Sequence, residues 1–230
     1  MARPSRNLDR ALIAAGQALY PSTGCAGLTI RQVADAAGVN IGMFHYHFKT
    51  REAFLRAVLE ANYEDMFSRL PVVTEQLARD FSHTDLLRHA LKALGHWSRE
   101  HRGFIARLLA DCMAHDPVAR SFFAANFPRH LERVGQIIAA AQQAGALRAM
   151  PLPQAMAFCA GAISLPLIAV GTVVDSGMLP APRKRSLEAA VLSAAAVDER
   201  IELVLHALGT PLPATRKAAP KASKKKKGTS

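Results

Sequence analysis

The sequence contains few cysteines, few aromatic residues and no segment with the features of a secretory signal. The three cysteines, Cys25, Cys112 and Cys159, are odd in number and far apart in a chain of 230 residues, which excludes a disulfide framework. The basic N-terminus is followed by LDRALIAAGQALY, where Asp9 and Arg10 interrupt the apolar run that a signal peptide requires. We therefore predict a cytoplasmic protein in which the cysteines are small apolar core residues.

The motifs of common enzymes and metal sites are also missing. We find no phosphate-binding glycine loop, no Gly-x-Ser-x-Gly elbow and no metalloprotease motif. Several histidines lie between residues 83 and 130, but they form neither an i, i+4 pair nor a Cys-His cluster, the spacings that favour zinc. We therefore predict a protein that is not an enzyme, and we assign it no metal and no cofactor.

Acidic residues are scarce at the two ends of the chain, whose formal net charge is +11. Residues 1–56 hold seven basic and three acidic residues, whereas residues 57–212 hold fifteen of each. The remaining C-terminal residues add seven basic residues and no acidic one. A neutral body with basic ends suggests a polyanionic partner such as nucleic acid.

Apolar residues recur with helical spacing almost throughout, and alternating strand patterns are absent, which predicts an all-α fold. We expect the first helix to end at Tyr20-Pro21, because proline disfavours helical geometry in the residue before it, and the loop PSTGCAG to follow. Three helices should then begin at Thr29, about Asn40 and Thr50, and the side chains of Thr29 and Thr50 are suited to N-caps. Later helices are predicted near 84–100, 102–114, 117–144 with a kink at Pro128, 153–175 and 185–208.

No charged residue occurs between Arg148 and Asp175, and this apolar run is long enough to span a bilayer. Alanine, glycine and proline dilute the run, and no tryptophan or tyrosine flanks it. We therefore favour a helix buried inside a protein assembly and predict no membrane association. A membrane-anchored regulator is the alternative, and a detergent-free soluble dimer would contradict it.

Residues 30–48, IRQVADAAGVNIGMFHYHF, have the spacing of a helix-turn-helix. Ala34 is small enough to let two helices cross closely. Gly38, four residues later, suits the tight turn between them, and Phe44 supplies a bulky side chain for the interior. The second helix of such a motif can enter the major groove of DNA.

The longer segment Leu28–Glu60, LTIRQVADAAGVNIGMFHYHFKTREAFLRAVLE, resembles the tetracycline-repressor (TetR) family of bacterial transcriptional regulators. The resemblance rests on the Thr-Ile start, the alanine-glycine spacing, the YHFK ending of the second helix and the capped helix after it. It implies a homodimer that binds double-stranded DNA at a palindromic operator, acts as a repressor and is released by a small-molecule effector.

The resemblance also implies an N-terminal three-helix DNA-binding domain, which we place at residues 1–56, and a helical effector-binding and dimerisation domain at residues 57–209. Residues 210–230 have almost no large apolar side chain, so we expect them to form a disordered, lysine-rich tail. The apolar helices near 153–175 and 185–208 occupy the place where the family builds its dimer interface.

The predicted second helix should point Phe44 and Phe48 into the domain and the other side of the helix toward the DNA groove. Asn40 could contact adenine through two hydrogen bonds, and Met43 could pack against a thymine methyl group. Two positions depart from the family, which commonly has Tyr in place of His45 and Ser or Thr in place of Asn40. The candidates for base reading are Asn40, Ile41, Gly42, Met43, His45 and Tyr46.

Phosphate contacts, which position a protein on DNA without reading sequence, are expected from Thr29, His47, Lys49 and Arg51. The alternatives are that Thr29 is only a helix cap and that His47 only packs between helices.

For an effector pocket, the second half of the chain offers apolar side chains and two histidines as polar anchors. The alternative is that most of these side chains are core residues. Few charges in these helices favour an apolar or aromatic effector. The candidates are His89, His96, Trp97, Phe104, Met113, Phe122, Phe123 and Phe127.

The lysine-rich tail supports a competing hypothesis, a DNA-binding architectural protein without sequence preference. Such a protein loses most of its affinity as salt rises, whereas a regulator keeps a specific site at physiological salt.

Overall fold

The computed structural model describes residues 7–72 and 81–209, and within them the chain is helical without any strand. The predicted all-α fold is confirmed. The helices are α1 (Asn7–Gly27), α2 (Ile30–Ala37), α3 (Ile41–Phe48), α4 (Arg51–Ser68), α5 (His83–Glu100), α6 (Arg102–Met113), α7 (Pro117–Gln143), α8 (Leu152–Asp175), α9 (Ala181–Leu187) and, after a π-helical turn at Glu188–Leu192, α10 (Ala194–Gly209).

Helices α1 to α3 form a compact group around the fully buried ring of Phe44. The turn between α2 and α3 is made by Gly38, whose φ of 68° lies in the left-handed region that favours glycine. Ala34 is fully buried beside this turn, as the helix-turn-helix spacing predicts. The predicted caps at Thr29 and Thr50 are confirmed, since each side chain accepts a hydrogen bond from the first turn of its helix. Asn40, where a helix was expected to begin, caps α3 in the same way.

The prediction that the first helix ends at Tyr20 is wrong, because the chain stays helical through Pro21 and bends only at Gly24. The hydroxyls of Ser22 and Thr23 donate to the carbonyl of Leu19 at 2.9 and 3.0 Å, which holds the turn around the proline. Gly24 then has φ 64° and ψ −171°, a conformation that glycine alone adopts readily.

Helices α5, α7, α8 and α10 build a second apolar core, which contains the buried face of α8, whereas Phe104 and Leu108 of α6 belong to the same core as Phe44. Helix α7 runs through Pro128 as one element from residue 117 to 143. The single helix predicted over 185–208 is wrong, because Ser193 is extended (φ −69°, ψ 155°) and separates α9 and the π-helical turn from α10. The Ser193 hydroxyl accepts from the Ala196 backbone N–H at 3.2 Å and so caps α10.

The two predicted domains are joined by α4, which runs through the proposed boundary between residues 56 and 57. The N-terminal half of α4 packs against α3, and its C-terminal half packs against the second group of helices. The predicted tail, residues 210–230, lies outside the described residues.

Candidate DNA-binding surface and ligand cavity

Helix α3 presents one face to solvent, and that face carries most of the residues predicted to read DNA. Phe44 fixes the rotation of the helix, because its buried ring packs against Phe54 with ring centroids 5.0 Å apart. As a result Tyr46 is 63% exposed and Ile41 is 45% exposed. The exposed residues on and beside α3 are Asn40, Ile41, Gly42, His45, Tyr46 and Lys49, whereas Met43 is half-buried.

Asn40 has a structural role in addition to its predicted contact with adenine. Its Oδ1 accepts a hydrogen bond from the Met43 backbone N–H at 2.9 Å and caps α3. A bidentate contact with adenine requires both the oxygen and the nitrogen of the amide. Gly42 leaves room for this cap, because a Cβ atom there would lie 3.2 Å from the same oxygen.

The residues predicted to contact phosphates lie in different environments. Thr29 forms a capping box with Gln32, in which Thr29 Oγ1 accepts from the Gln32 N–H at 3.3 Å and Gln32 Oε1 accepts from the Thr29 N–H at 3.0 Å. Lys49 is exposed just after α3, where φ is 51°. His47 is half-buried, and its Nε2 has no hydrogen-bond partner among the described residues.

The geometry of Arg51 does not support the predicted phosphate contact. Its Nε donates to the carbonyl of Leu28 at 2.7 Å, and its terminal nitrogen donates to the carbonyls of Cys25 and Ala26. These carbonyls lie at and just beyond the C-terminal end of α1, where a helix leaves acceptors without intrahelical partners. Arg51 therefore joins α4 to the end of α1.

A cavity of about 350 Å³ lies among helices α4 to α8, and its wall is almost entirely apolar. Five of the aromatic residues proposed for an effector pocket line it. These are Trp97 on α5, Phe104 on α6, and Phe122, Phe123 and Phe127 on α7. The volume falls in the range of small-molecule sites.

Three of the proposed pocket residues are not part of the cavity wall. Met113 ends α6 and is 74% exposed. The ring of His89 is exposed, and its Nδ1 lies 2.7 Å from the carbonyl of Asp85 on the same helix. His96 pairs instead with Asp198 of α10, with 3.1 Å between Nε2 and Oδ1. The predicted polar anchors therefore sit on the outer side of α5.

The polar groups of the cavity wall come from residues that were not proposed as anchors. The Tyr63 hydroxyl donates to the carbonyl of Asn126 at 2.6 Å and lies 3.4 Å from Nδ1 of His130. Burial lowers the pKa of His130 to about 4, and burial raises the pKa of Tyr63. Both groups are therefore uncharged at neutral pH. No sequence pattern links these two residues, which are 67 positions apart.

A buried carboxylate connects α6, which forms part of the cavity wall, to α1. Asp111 is 3% exposed, and its Oδ2 accepts from the Tyr20 hydroxyl and from the Cys25 backbone N–H, both at 2.8 Å. Its Oδ1 pairs with Arg107 at 3.0 Å. Burial, together with the nearby carboxylate, raises the pKa of Tyr20 and raises that of Cys25 to about 12. We call Asp111, Tyr20, Cys25 and Arg107 the Asp111 network.

Helix α8 is the one helix, among those described, that is long and apolar enough to cross a membrane. One of its faces is buried in the second core through Ala155, Cys159, Ile163 and Leu167, which recur every four residues. The opposite face is exposed and apolar. It carries Phe158, Leu165 and Val173, and Leu203 of α10 is also exposed at 61%.

The residues that the structure describes contain no group of three or more His, Cys, Asp or Glu side chains arranged to hold a metal ion. Cys25 and Cys159 are buried and Cys112 is half-buried, and all three are free thiols.

The exposed face of α3 is the surface whose geometry indicates a function. An all-helical chain that presents the second helix of a helix-turn-helix in this way is a helix-turn-helix DNA-binding protein.

Comparison with known proteins finds a family that resembles the N-terminal part of the chain. Residues 12–58 match the model of bacterial regulatory proteins, tetR family. A segment of 93 residues is 29% identical to YerO of Bacillus subtilis (strain 168), an uncharacterized HTH-type transcriptional regulator, and covers 40% of this chain and 32% of that protein. The chain therefore spans about a third of the curated relative that it matches.

Solved structures share the fold across both halves of the chain. A putative TetR-family transcriptional regulator from Rhodococcus sp. superposes with a TM-score of 0.62 at 19% identity, over 90% of this chain and all of that one. The flavonoid-responsive regulator FrrA superposes with a TM-score of 0.57 at 20% identity, over 89% of this chain and 96% of that one. Residues 12–58 are thus similar to the DNA-binding domain of the tetR family, and the two solved structures share the fold of the chain.

Proposed function

We propose that this protein is a homodimeric transcriptional repressor that binds a palindromic operator and is released from it by a small, uncharged, apolar molecule. The observation that carries the proposal is the exposed face of α3 on a chain that also contains an apolar cavity, with α4 reaching from one to the other. Each part of the proposal is supported by separate contacts.

The DNA-binding part is supported by shape and charge. Helix α3 is short, is capped at Asn40 and is held in one rotation by Phe44, so the face that it presents is set before DNA binds. The first 56 residues carry an excess of basic residues, whereas residues 57–212 are balanced. Basic residues near α3 are suited to the phosphate contacts that position a protein on DNA.

The homodimer is supported by the exposed apolar face of α8 and by Leu203 of α10. A soluble monomer seldom leaves so many large apolar side chains exposed along neighbouring helices. Two copies packed through these helices would bury them and would place two α3 helices on one duplex. We expect Leu165→Glu combined with Leu203→Glu to give monomers in sedimentation equilibrium, while Met113→Glu stays dimeric. A chain that is monomeric before substitution would contradict the homodimer, and one that needs detergent would favour the membrane-anchored alternative.

The effector site is supported by the cavity. Its wall contains aromatic and aliphatic side chains and no lysine, arginine, aspartate or glutamate. FrrA, which shares the fold, is described as flavonoid-responsive, and a flavonoid is an aromatic molecule of the general kind that such a wall would take.

Two connections could carry a change from the cavity to α3. Helix α4 contributes Tyr63 to the cavity wall and packs Phe54 against Phe44 at its other end. Helix α6 contributes Phe104 to the wall and holds α1 through Asp111. A ligand shifts the protein from its DNA-binding state only if it binds the other state more tightly, so the cavity must differ in shape between the two.

The test is a selection of random duplex DNA by the purified full-length chain at about 150 mM salt. We expect a palindrome to be enriched by the natural chain and by Met113→Ala, and to be lost with Tyr46→Ala. If nothing is enriched, and binding disappears when the seven basic residues of the C-terminal segment are replaced by serine, the architectural alternative takes the place of this proposal.

A further inference from the structure

The polar groups around the cavity differ in how far the protein already uses them. The hydroxyls of Ser98 and Ser164 lie 3.3 Å apart and bond each other. The Asn126 amide donates to the carbonyl of Phe122 at 3.1 Å, and the Tyr63 hydroxyl donates to the carbonyl of Asn126. Each of these groups already has a hydrogen-bond partner within the protein, so a ligand gains less from them.

His130 differs from these groups. The Tyr63 hydroxyl gives its hydrogen to a carbonyl, so its oxygen can only accept from the imidazole Nδ1, 3.4 Å away. That contact places the hydrogen of a neutral imidazole on Nδ1 and leaves Nε2 as an acceptor. Within residues 7–72 and 81–209 we find no hydrogen bond to Nε2 of His130, and the residue lines the cavity.

The charge of the wall limits the ligand further. No residue that lines the cavity has a permanent charge. An anion such as a carboxylate would lose its hydration there without finding a cationic partner, which is strongly unfavourable. A cation would find aromatic faces but no carboxylate, since Asp65 of α4 is not in the wall and accepts from the Trp97 indole N–H at 2.8 Å.

We propose that the effector is a neutral, mainly apolar or aromatic molecule with a hydroxyl or N–H group, and that His130 determines specificity by accepting a hydrogen bond from this group. This inference rests on the proposed function of the cavity as the effector site. Tyr63 is a positioning residue, because it holds the imidazole in the tautomer that accepts.

The experiment compares four substituents on each of two aromatic skeletons by isothermal titration calorimetry with the full-length protein. The probes are biphenyl and naphthalene, each bearing a hydroxyl, a methoxy, a carboxylate or a trimethylammonium group. We expect the hydroxyl compound to bind about tenfold more tightly than the methoxy compound, which is the effect of about one hydrogen bond. We expect the two charged compounds to bind more weakly than either.

The variant His130→Phe keeps a ring in the wall and removes the acceptor, so we expect it to bind the hydroxyl and methoxy compounds equally. The control is His89→Phe, an exposed histidine outside the cavity, which should keep the tenfold preference. A preference that survives in His130→Phe, tighter binding of a charged compound, or no binding of any probe overturns the inference. Selection of a palindrome in the DNA experiment is independent of these results, so the regulator can stand if the ligand class fails.

Discussion

Removing the carboxylate of Asp111 should destabilise the protein more than any surface ion pair would. The variant Asp111→Ala leaves the hydroxyl of Tyr20 and the backbone N–H of Cys25 without their acceptor, and both residues are buried. An unsatisfied buried donor costs about 1–3 kcal/mol, so the two together predict a loss of about 2–6 kcal/mol in the free energy of unfolding. The ion pair with Arg107 is left out of this figure, because that arginine is one-third exposed.

The measurement is urea unfolding followed by circular dichroism at one fixed protein concentration, since dimerisation makes stability depend on concentration. Asp111→Asn retains one acceptor oxygen and should lose less than Asp111→Ala. The matched control is Asp35→Ala, because Asp35 pairs with Arg31 at 3.9 Å on the surface and both side chains are largely exposed. Its loss should stay below about 1 kcal/mol. If Asp111→Ala loses no more than Asp35→Ala, the Asp111 network does not join α6 to α1 as described.

Three further predictions concern single sites. Because burial gives His130 a pKa of about 4 in the folded chain, against about 6.5 when unfolded, the unfolded chain binds more protons between these values and stability should fall by about 2 kcal/mol from pH 7.5 to pH 5. Urea unfolding of His130→Phe between pH 7.5 and pH 5 should lack this decrease in stability. An unchanged pH dependence in that variant would contradict the neutral buried imidazole. Gly24→Ala should lower stability by about 1–3 kcal/mol, because φ is 64° and a Cβ would lie 1.9 Å from Arg107 Nε. Gly27→Ala should be nearly neutral, because its Cβ would meet only Thr23 Cβ at an ordinary contact distance of 3.5 Å. Both variants are measured by thermal unfolding, and equal losses at the two glycines would refute the argument. Asn40→Ala should cost about 1 kcal/mol through the lost cap of α3, whereas Asn40→Ser should stay within a few tenths of the natural chain; equal melting temperatures for the two variants would show that the cap contributes nothing.

The local features of the fold could be predicted from sequence because they depend on neighbouring residues. The caps at Thr29 and Thr50 act within one helical turn, and the turn at Gly38 depends on the conformational freedom of one residue. The failure at Pro21 has a local cause as well. Two hydroxyls that follow the proline hold the helical turn around it, and a rule about proline alone does not include them.

The polar part of the candidate site could not be predicted, because it depends on contacts between distant positions. Tyr63 and His130 meet across 67 residues, and Tyr20 and Asp111 across 91. Composition indicated an apolar pocket with aromatic residues, and the structure places five of the six apolar residues proposed for it around one cavity. The composition did not indicate which histidine faces inward, since His89, His96 and His130 all lie on helices that have both polar and apolar faces.

Trp97 is the only tryptophan of the chain, and its ring forms part of the cavity wall at 4% exposure. All indole emission of the protein therefore originates at this wall, beside the stacked ring of His101 and hydrogen-bonded to Asp65. A molecule that enters the cavity contacts the fluorophore directly, and a change in the position of α4 alters the hydrogen bond to its ring nitrogen. The unlabelled protein is consequently its own spectroscopic sensor, with a quenching signal for occupancy and a spectral shift for movement of α4.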